Sequence, residues 1–235
     1  LGQMKYRQLQ LRRNHSSSVP NSIDIYTPIY GQYLPELPLF INTEEQQRYF
    51  ALNLQDQIFL NDQWSVLFGA RFDHITQDFQ NKLAGTSSKK DLQQTSPRLG
   101  LNYRLNDRWS WYANYGESFA LNSGMDRNGD MFNPEKGKSY EIGGKYRITS
   151  QSLLSLALFK MDKENVLTTD PADSNYQITA GEVSSKGLEL DLETQLNDQF
   201  SIRANYSYTD AQVEKDQILA KGSRLSNVPK HSGSI

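Results

Sequence analysis

The stretch Leu60-Asn61-Asp62-Gln63-Trp64-Ser65 decides the fold, because close variants of it return further along the chain. LNDRWS follows at residues 105–110 and LNDQFS at residues 196–201, while RITSQS occupies a matching place at residues 147–152. Asn and Asp tolerate the unusual backbone angles that tight hairpins require, so each copy is predicted to be a short polar turn. The period of about 45 residues also suits propeller blades, so the period alone leaves a barrel and a propeller open.

The segments on both sides of these turns alternate between apolar and polar side chains. After the first turn, Trp64, Phe68 and Phe72 share one face of the predicted strand, while Arg71 and Asp73 share the other. This alternation with a period of two continues through the later segments and is typical of half-buried strands. The charged side chains of the polar face are Arg71, Asp73, Glu141, Lys145, Arg147, Glu189, Asp191, Glu193 and Arg203.

The connections at the opposite ends of these strands are long and polar. They are predicted at about 14–45, 76–94, 120–136, 165–180 and 211–227. Short turns at one end and long loops at the other are typical of an outer-membrane barrel, whereas a propeller or a sandwich has no reason to segregate its loops. Trp64, Trp109 and Phe200, each following a turn, fit an aromatic ring at a membrane interface. We therefore predict an all-β fold, an antiparallel transmembrane β-barrel.

The composition argues against several classes of function. With 25 basic and 27 acidic residues, the chain has no basic cluster for a nucleic acid, and it has no Cys for a thiol nucleophile or a thiolate metal site. His15, His74 and His231 are scattered, without the spacing of a metal site. No nucleophile–base pair is apparent. We therefore predict neither an enzyme nor a metal-binding protein.

Several segments resemble the TonB-dependent siderophore receptors, a family of outer-membrane barrels. They are GARFD at 69–73, SPRLGL at 96–101, YANYGESF at 112–119, NPEKGKSYEIG at 133–143, GLEL at 187–190 and NVPKH at 227–231. Their order also matches, and residues 25–31 (IYTPIYG) are similar to a loop of members that take up ferric hydroxamates. The resemblance implies a barrel of about 22 strands in the bacterial outer membrane, with an N-terminal plug domain and a segment that contacts TonB.

Residues 1–235 are accordingly expected to be a partial β-barrel domain, with nine strands, the start of a tenth and no plug. Both ends of the sequence are abrupt, so we expect a fragment of something longer. The resemblance implies a receptor that imports a ferric siderophore with energy from TonB, reached through the N-terminal region. Iron would arrive in the siderophore, so no cofactor is expected, and outer-membrane lipid is the remaining partner. The alternatives are a receptor for haem, cobalamin or a glycan, and a passive porin-like or structural barrel.

Aromatic side chains in the long loops are the candidate ligand contacts. Such rings can bury the organic shell of a chelate with little loss of side-chain entropy. The first loop contributes the main candidates, and the third loop and its strand junctions contribute the weaker ones. The candidates are Tyr26, Tyr30, Tyr33, Phe40, Phe119, Met125 and Phe132. The alternative for these rings is packing of the loop onto itself.

Two further groups of polar residues also have alternative interpretations. Charges on the polar face either line a hydrated lumen and pair with a plug, which is favoured, or contact the solute. The stretch 126–130 (DRNGD) partly resembles a calcium loop, but its Gly is at the fourth position and the distal Glu is missing. A polar loop tip is therefore predicted there, and a turn is predicted at 170–173 (DPAD).

Overall fold

The computed structural model describes residues 1–13, 24–31 and 38–235, which form one antiparallel sheet in which each strand pairs with its neighbours in sequence. The strands are β1 (Gly2–Arg13), β2 (Leu39–Phe59), β3 (Trp64–Asn81), β4 (Thr86–Arg104), β5 (Trp109–Ala120), β6 (Glu135–Thr149), β7 (Ser152–Thr169), β8 (Gln177–Asn197), β9 (Phe200–Lys215) and β10 (His231–Ser234). The predicted all-β antiparallel wall of nine strands and the start of a tenth is confirmed. Within the described ranges, no helix is long and apolar enough to span a membrane.

The four short turns lie at one rim of the sheet, as predicted. They join β2 to β3, β4 to β5, β6 to β7 and β8 to β9, and alternate connections of an antiparallel sheet lie at the same end. We call this the short-turn end and the opposite rim the long-loop end.

The turn asparagines act in a different way from the one predicted. Asn61 Oδ1 accepts the backbone N–H groups of Gln63 and Trp64, both at 2.9 Å. Asn106 and Asn197 close their own turns with the same two contacts. In the described part of the chain, only Asn165 and Asn227 among the non-glycine residues have a positive φ. The expectation of unusual backbone angles at the turns is therefore wrong, because side-chain hydrogen bonds close them instead.

The strand register confirms the two predicted faces, because residues opposite each other on paired strands share a face. On the apolar face, Leu101 lies opposite Ala113, Ala113 opposite Ile142, Ile142 opposite Leu158 and Leu158 opposite Leu188. On the polar face, the same alternation places the charged residues predicted there. A slip of one residue in any strand would exchange the two faces, so the register is strongly determined.

Stacked aromatic pairs mark the apolar face beside the short turns. Trp64 stacks on Tyr103 and Trp109 stacks on Tyr146, each with ring centroids 4.3 Å apart. Each pair joins a residue that follows a turn to its partner on the neighbouring strand. The predicted aromatic ring at this rim therefore includes a tyrosine beside each of these tryptophans.

The strands reach further into the long-loop end than the sequence predicted. The segment 76–94 is a hairpin rather than a loop, because β3 continues to Asn81 and β4 begins at Thr86. The outward side chains of β3 change from apolar to polar after Phe72, and the strand continues for nine more residues. At about 3.3 Å per residue this part extends roughly 30 Å beyond the apolar band. The loop boundaries were misplaced because the outward side chains become polar after Phe72, so the alternating pattern that marks the lipid-facing wall ends there although the strand continues.

Candidate functional site at the long-loop end

The loop between β5 and β6, residues 121–134, lies against the polar face of the sheet, and we call it the crossing loop. Its Met131 and Phe132 are buried, as are Ile75 and Phe79 of β3. Lys90 of β4 donates through Nζ to the carbonyl oxygens of Met131 (3.1 Å) and Phe132 (3.3 Å). The crossing loop and the upper part of the wall therefore share a small apolar core, reinforced by a charged donor.

A buried polar cluster fastens the first part of the crossing loop to β2 and β3. Glu45 and Gln77 are 2% and 0% exposed. Gln77 donates through Nε2 to Glu45 Oε1 at 2.7 Å and to the carbonyl oxygen of Asn122 at 2.9 Å. Ser123 Oγ donates to the other oxygen of Glu45. Because buried polar groups are costly without partners, each of these contacts constrains the loop.

The crossing loop is also fastened to the end of β7. Asn122 donates through Nδ2 to the carbonyl oxygen of Asn165, and Asn165 donates through Nδ2 to the carbonyl oxygen of Pro134, both at 2.9 Å. Arg127 Nε lies 3.4 Å from Asp170 Oδ2, just beyond β7. The loop therefore connects the wall around β3 with the wall around β7.

The tip of the crossing loop is a self-contained turn, as the sequence predicted. Asp126 Oδ1 accepts the backbone N–H groups of Asn128 and Asp130, at 2.8 and 2.9 Å. Met125 and Met131 form a bridge below the tip. The carboxylate of Asp126 therefore holds its own loop. Over residues 1–13, 24–31 and 38–235, no three His, Asp or Glu side chains are grouped as a metal site would require.

An open cleft lies between the crossing loop and the ends of the surrounding strands, and we call it the mouth cleft. It has a volume of about 540 Å³. Its lining includes Phe40, Phe79, Met125, Arg127, Phe132 and Tyr176. It combines aromatic rings, a polarizable thioether and one guanidinium group. Such a mixture suits an amphipathic organic molecule, with polar groups that fix its orientation.

The structure brings three of the seven predicted site residues together. Phe40, Met125 and Phe132 line the mouth cleft, although Phe132 is 6% exposed and mainly packs its own loop. Tyr26 and Tyr30 are exposed outside this lining, and Tyr33 lies outside the described residues. Phe119 lines a second open cleft nearer the middle of the wall, together with Tyr49, Arg71 and Arg98. Whether any of the seven contacts a ligand stays a prediction.

Sequence reasoning missed the residues that organise this end of the molecule. Glu45 and Gln77 are 32 positions apart, and nothing in the sequence signals that they meet. Tyr176 follows the predicted turn at 170–173, and Arg127 was placed only in a polar loop tip. Two of the predicted polar-face charges, Arg71 and Asp73, are paired at 2.7 Å within the wall. Glu193 and Arg203 pair in the same way.

His74 and His231 lie apart from the mouth cleft. His74 is on the outward face of β3, and His231 begins β10, where its Nδ1 is 2.8 Å from the hydroxyl of Tyr206. His15 lies outside the described residues. The turn predicted at 170–173 is present, with the backbone N–H of Asp173 donating to the carbonyl oxygen of Asp170 at 3.2 Å.

Comparison with known proteins identifies a family over nearly the whole chain. A model of the TonB dependent receptor-like β-barrel matches residues 2–235. The metal-pseudopaline receptor CntO of Pseudomonas aeruginosa is 41% identical over 95% of this chain and 32% of its own length. The ferrichrome outer membrane transporter/phage receptor of Escherichia coli K12 is 34% identical over 80% of this chain and 26% of its own length. The chain thus spans about a third or less of these relatives.

Solved structures show the same fold. The ferric-catecholate import receptor Fiu of Escherichia coli K12 superposes with a TM-score of 0.74 at 20% identity, covering 97% of this chain and 37% of that one. The ferric citrate transporter FecA gives a TM-score of 0.73 at 22% identity, covering 98% and 34%. At these identities the likeness is one of fold alone.

Proposed function

This chain belongs to the TonB-dependent receptor β-barrel family, and we propose that it forms part of the wall and the extracellular mouth of an outer-membrane receptor that imports a ferric siderophore. The single observation that carries the proposal is the mouth cleft, in which aromatic and polar side chains converge on the polar face at the long-loop end. The names of the relatives support it, because those proteins are receptors and transporters of metal chelates.

The proposed mechanism assigns separate roles to the two faces. The apolar face meets lipid and fixes the strands in the outer membrane. The polar face lines the route of the solute, and the crossing loop holds the cleft open at its entrance. Iron is part of the cargo, so the cleft binds the organic shell of the chelate and this chain supplies no metal ligand. We propose that import takes its energy from TonB, through a part of the receptor outside these residues.

A chelate of another metal is the second candidate cargo. The relative that shares 41% of its residues with this chain is named as a metal-pseudopaline receptor, without restriction to iron. Competition between ferric and other metal chelates for the intact receptor would separate the two candidates.

The test of the proposed site removes rings in pairs from the intact receptor. We expect Phe40→Ala combined with Tyr176→Ala to weaken binding of the ferric chelate about a hundredfold, since two buried ring contacts contribute a few kcal/mol. Binding is measured by quenching of intrinsic fluorescence on purified receptor. Phe59→Ala, an exposed ring at the short-turn end, is the matched control and should leave the affinity unchanged.

A second double variant tests the exposed tyrosines predicted from the sequence. Tyr26→Ala combined with Tyr30→Ala should weaken binding if the segment 24–31 closes on the ligand. Unchanged affinity would show that these two rings are outside the site. If the variant that lacks the rings of Phe40 and Tyr176 binds every ferric chelate as the unaltered receptor does, the mouth cleft is not the binding site.

A further inference from the structure

We propose that Arg127 makes the mouth cleft selective for chelates that carry a free acidic group, an inference that rests on the proposed function. Arg127 lies at the tip of the crossing loop and lines the cleft. Its side chain is 47% exposed, so the guanidinium group is accessible to a solute. Among the described residues, the charged ones that line the cleft are Asp126 and Arg127, and they differ in how far their hydrogen-bonding capacity is already used.

Asp126 uses one of its two carboxylate oxygens to hold the loop tip. Its Oδ1 accepts two backbone N–H groups of the loop tip, and its Oδ2 lies 3.5 Å from the side-chain amide of Asn128. Oδ1 is therefore committed to the loop tip, and in the described part of the chain Oδ2 keeps only this one long contact. The contacts of the Asp126 carboxylate are therefore all within its own loop.

Arg127 has most of its capacity left. Within the described residues it makes one ion pair, through Nε with Asp170 at 3.4 Å, and no hydrogen bond. A guanidinium group carries five N–H donors in a rigid fork, so the terminal nitrogens remain available for two parallel hydrogen bonds to a carboxylate. Arg127 is therefore the group in the cleft that is suited to recognise an anion.

Asp170 acts as a positioning residue for Arg127. Its side chain is 5% exposed, and its Oδ1 accepts the backbone N–H of Ala172 at 2.8 Å. The backbone N–H of Asp170 donates to the carbonyl oxygen of Tyr176 at 3.0 Å, which closes the loop between β7 and β8. A carboxylate fixed in this way holds Nε from one side and leaves the other edge of the guanidinium group free. Preorganisation of this kind reduces the entropy lost when a ligand binds.

The apolar part of the cleft lining binds acidic and neutral chelates alike, so the preference for acidic chelates depends on Arg127. The rings of Phe40 and Tyr176, which are 49% and 40% exposed, offer apolar surface for the body of a chelate. A neutral chelate can use this surface but gains nothing from the free donors of Arg127. An acidic chelate uses both, so discrimination between the two depends mainly on a single side chain.

The test compares an acidic with a neutral chelate on the intact receptor. Ferric citrate is the acidic probe and ferrichrome, a neutral ferric hydroxamate, is the other. We expect Arg127→Gln to weaken ferric citrate binding by about tenfold or more and ferrichrome binding by less than about twofold. Arg127→Lys should fall between, because a lysine keeps the charge and loses the fork. Raising the ionic strength should weaken ferric citrate binding selectively.

Two further variants separate selectivity from damage to the fold. Asp170→Asn should weaken ferric citrate in the same direction by a smaller factor, with little effect on ferrichrome. Arg224→Gln, in the exposed loop between β9 and β10, is the matched control and should change neither affinity. Equal hydrogen exchange in residues 121–134 of all variants shows that the crossing loop keeps its structure.

The outcomes distinguish this inference from the proposed function. If no ferric chelate binds the unaltered receptor, the proposed function fails. If chelates bind but the receptor accepts only neutral ones, or if Arg127→Gln affects both probes equally or neither, the proposed function stands and the role of Arg127 is overturned.

Discussion

The two ends of this sheet are held in different ways. At the short-turn end, three of the four turns are closed by their own asparagine, which accepts N–H groups two and three residues ahead. The turn between β6 and β7 uses the hydroxyl of Thr149 in the same way, as the acceptor for the backbone N–H of Gln151. At the long-loop end, the crossing loop is held by residues far apart in sequence, such as Glu45 and Ser123, which are 78 positions apart. At the short-turn end, the same contact between neighbouring residues recurs from turn to turn. At the long-loop end, each contact joins a different pair of distant residues. We infer that the short-turn end stabilises the fold and that the long-loop end determines the specificity of ligand binding.

The largest expected effect comes from the wall on which both ends depend. Leu190→Arg places a charge in the middle of the apolar face, opposite Leu156 and Tyr206. We expect the free energy of unfolding to fall by about 2–4 kcal/mol, because a basic side chain near the bilayer midplane is exposed to hydrocarbon. The measurement is denaturant unfolding of the intact receptor in lipid vesicles.

The neighbouring residue provides the control for this change. Glu189→Arg introduces the same side chain on the polar face, where water is accessible, and should cost far less. Equal losses for the two variants would contradict the assignment of the faces, and with it the division between a lipid-facing wall and a solute-facing mouth.

The next effect should be confined to the long-loop end. Glu45→Ala removes the acceptor for Gln77 and Ser123, and the buried donor of Gln77 loses one of its two partners. We expect a local loss of about 1–3 kcal/mol, which corresponds to hydrogen exchange in residues 121–134 that is faster by roughly ten- to a hundredfold. Hydrogen–deuterium exchange with peptide mass analysis measures this directly.

The adjacent Glu44 is the matched control, because it points to the other face. It pairs with Arg7 and Lys82 at 2.7 Å, and both cations are exposed. These contacts lie on the face away from the crossing loop, so Glu44→Ala should leave hydrogen exchange in residues 121–134 unchanged. If Glu44→Ala releases the loop as strongly as Glu45→Ala, the buried cluster is not what fastens it.

The short-turn end was predictable from the sequence because its information is local. The repeat that begins at Leu60 contains the turn residues, the interface aromatic and the start of the alternating pattern, all within a few positions. The face of each residue followed from parity alone and is confirmed by the register. Even here the physical cause differed, since the asparagines act through their side chains and not through their backbone angles.

The long-loop end was only partly predictable because its contacts join distant segments. Phe40, Met125 and Phe132 were selected as loop side chains suited to a chelate, and they line one cleft. Their convergence depends on Glu45, Gln77 and Asn165, whose partners are set by the folded sheet. A sequence pattern shows which residues suit a ligand, but it does not show which of them a remote carboxylate brings together.

A smaller effect should distinguish the residues within a single short turn. Asn61→Ala removes the acceptor for the N–H groups of Gln63 and Trp64, and we expect a loss of about 0.5–1.5 kcal/mol in the free energy of unfolding. Water can reach this rim, which keeps the loss at the lower part of that range. Asp62→Ala, in the same turn, is the control, since the side chain of Asp62 makes no hydrogen bond to another described residue. Equal losses in the free energy of unfolding for Asn61→Ala and Asp62→Ala would show that the stability depends on the composition of the turn and not on the side-chain contacts of Asn61.

The smallest effect is a difference in pH dependence between the turns of the two ends. Near Tyr26 the capping group is a carboxylate, since Asp24 Oδ1 accepts the backbone N–H groups of Tyr26 (2.8 Å) and Thr27 (3.3 Å). These two donors hold the pKa of Asp24 below its ordinary value of 3.8. A lowered pKa means that the stabilisation is complete above pH 3.8 and is lost as the pH falls through the lowered value.

An asparagine cap does not titrate, so the turn at Asn61 should be unaffected over the same range. We therefore expect amide protection at Tyr26 to exceed that of an Asp24→Asn variant at neutral pH and to fall towards the level of the variant in acid. Hydrogen exchange of both turns across this range is the measurement. A parallel loss of amide protection at Asn61 would show that acid destabilises the whole sheet and does not act through this carboxylate. The two ends would then show the same pH dependence.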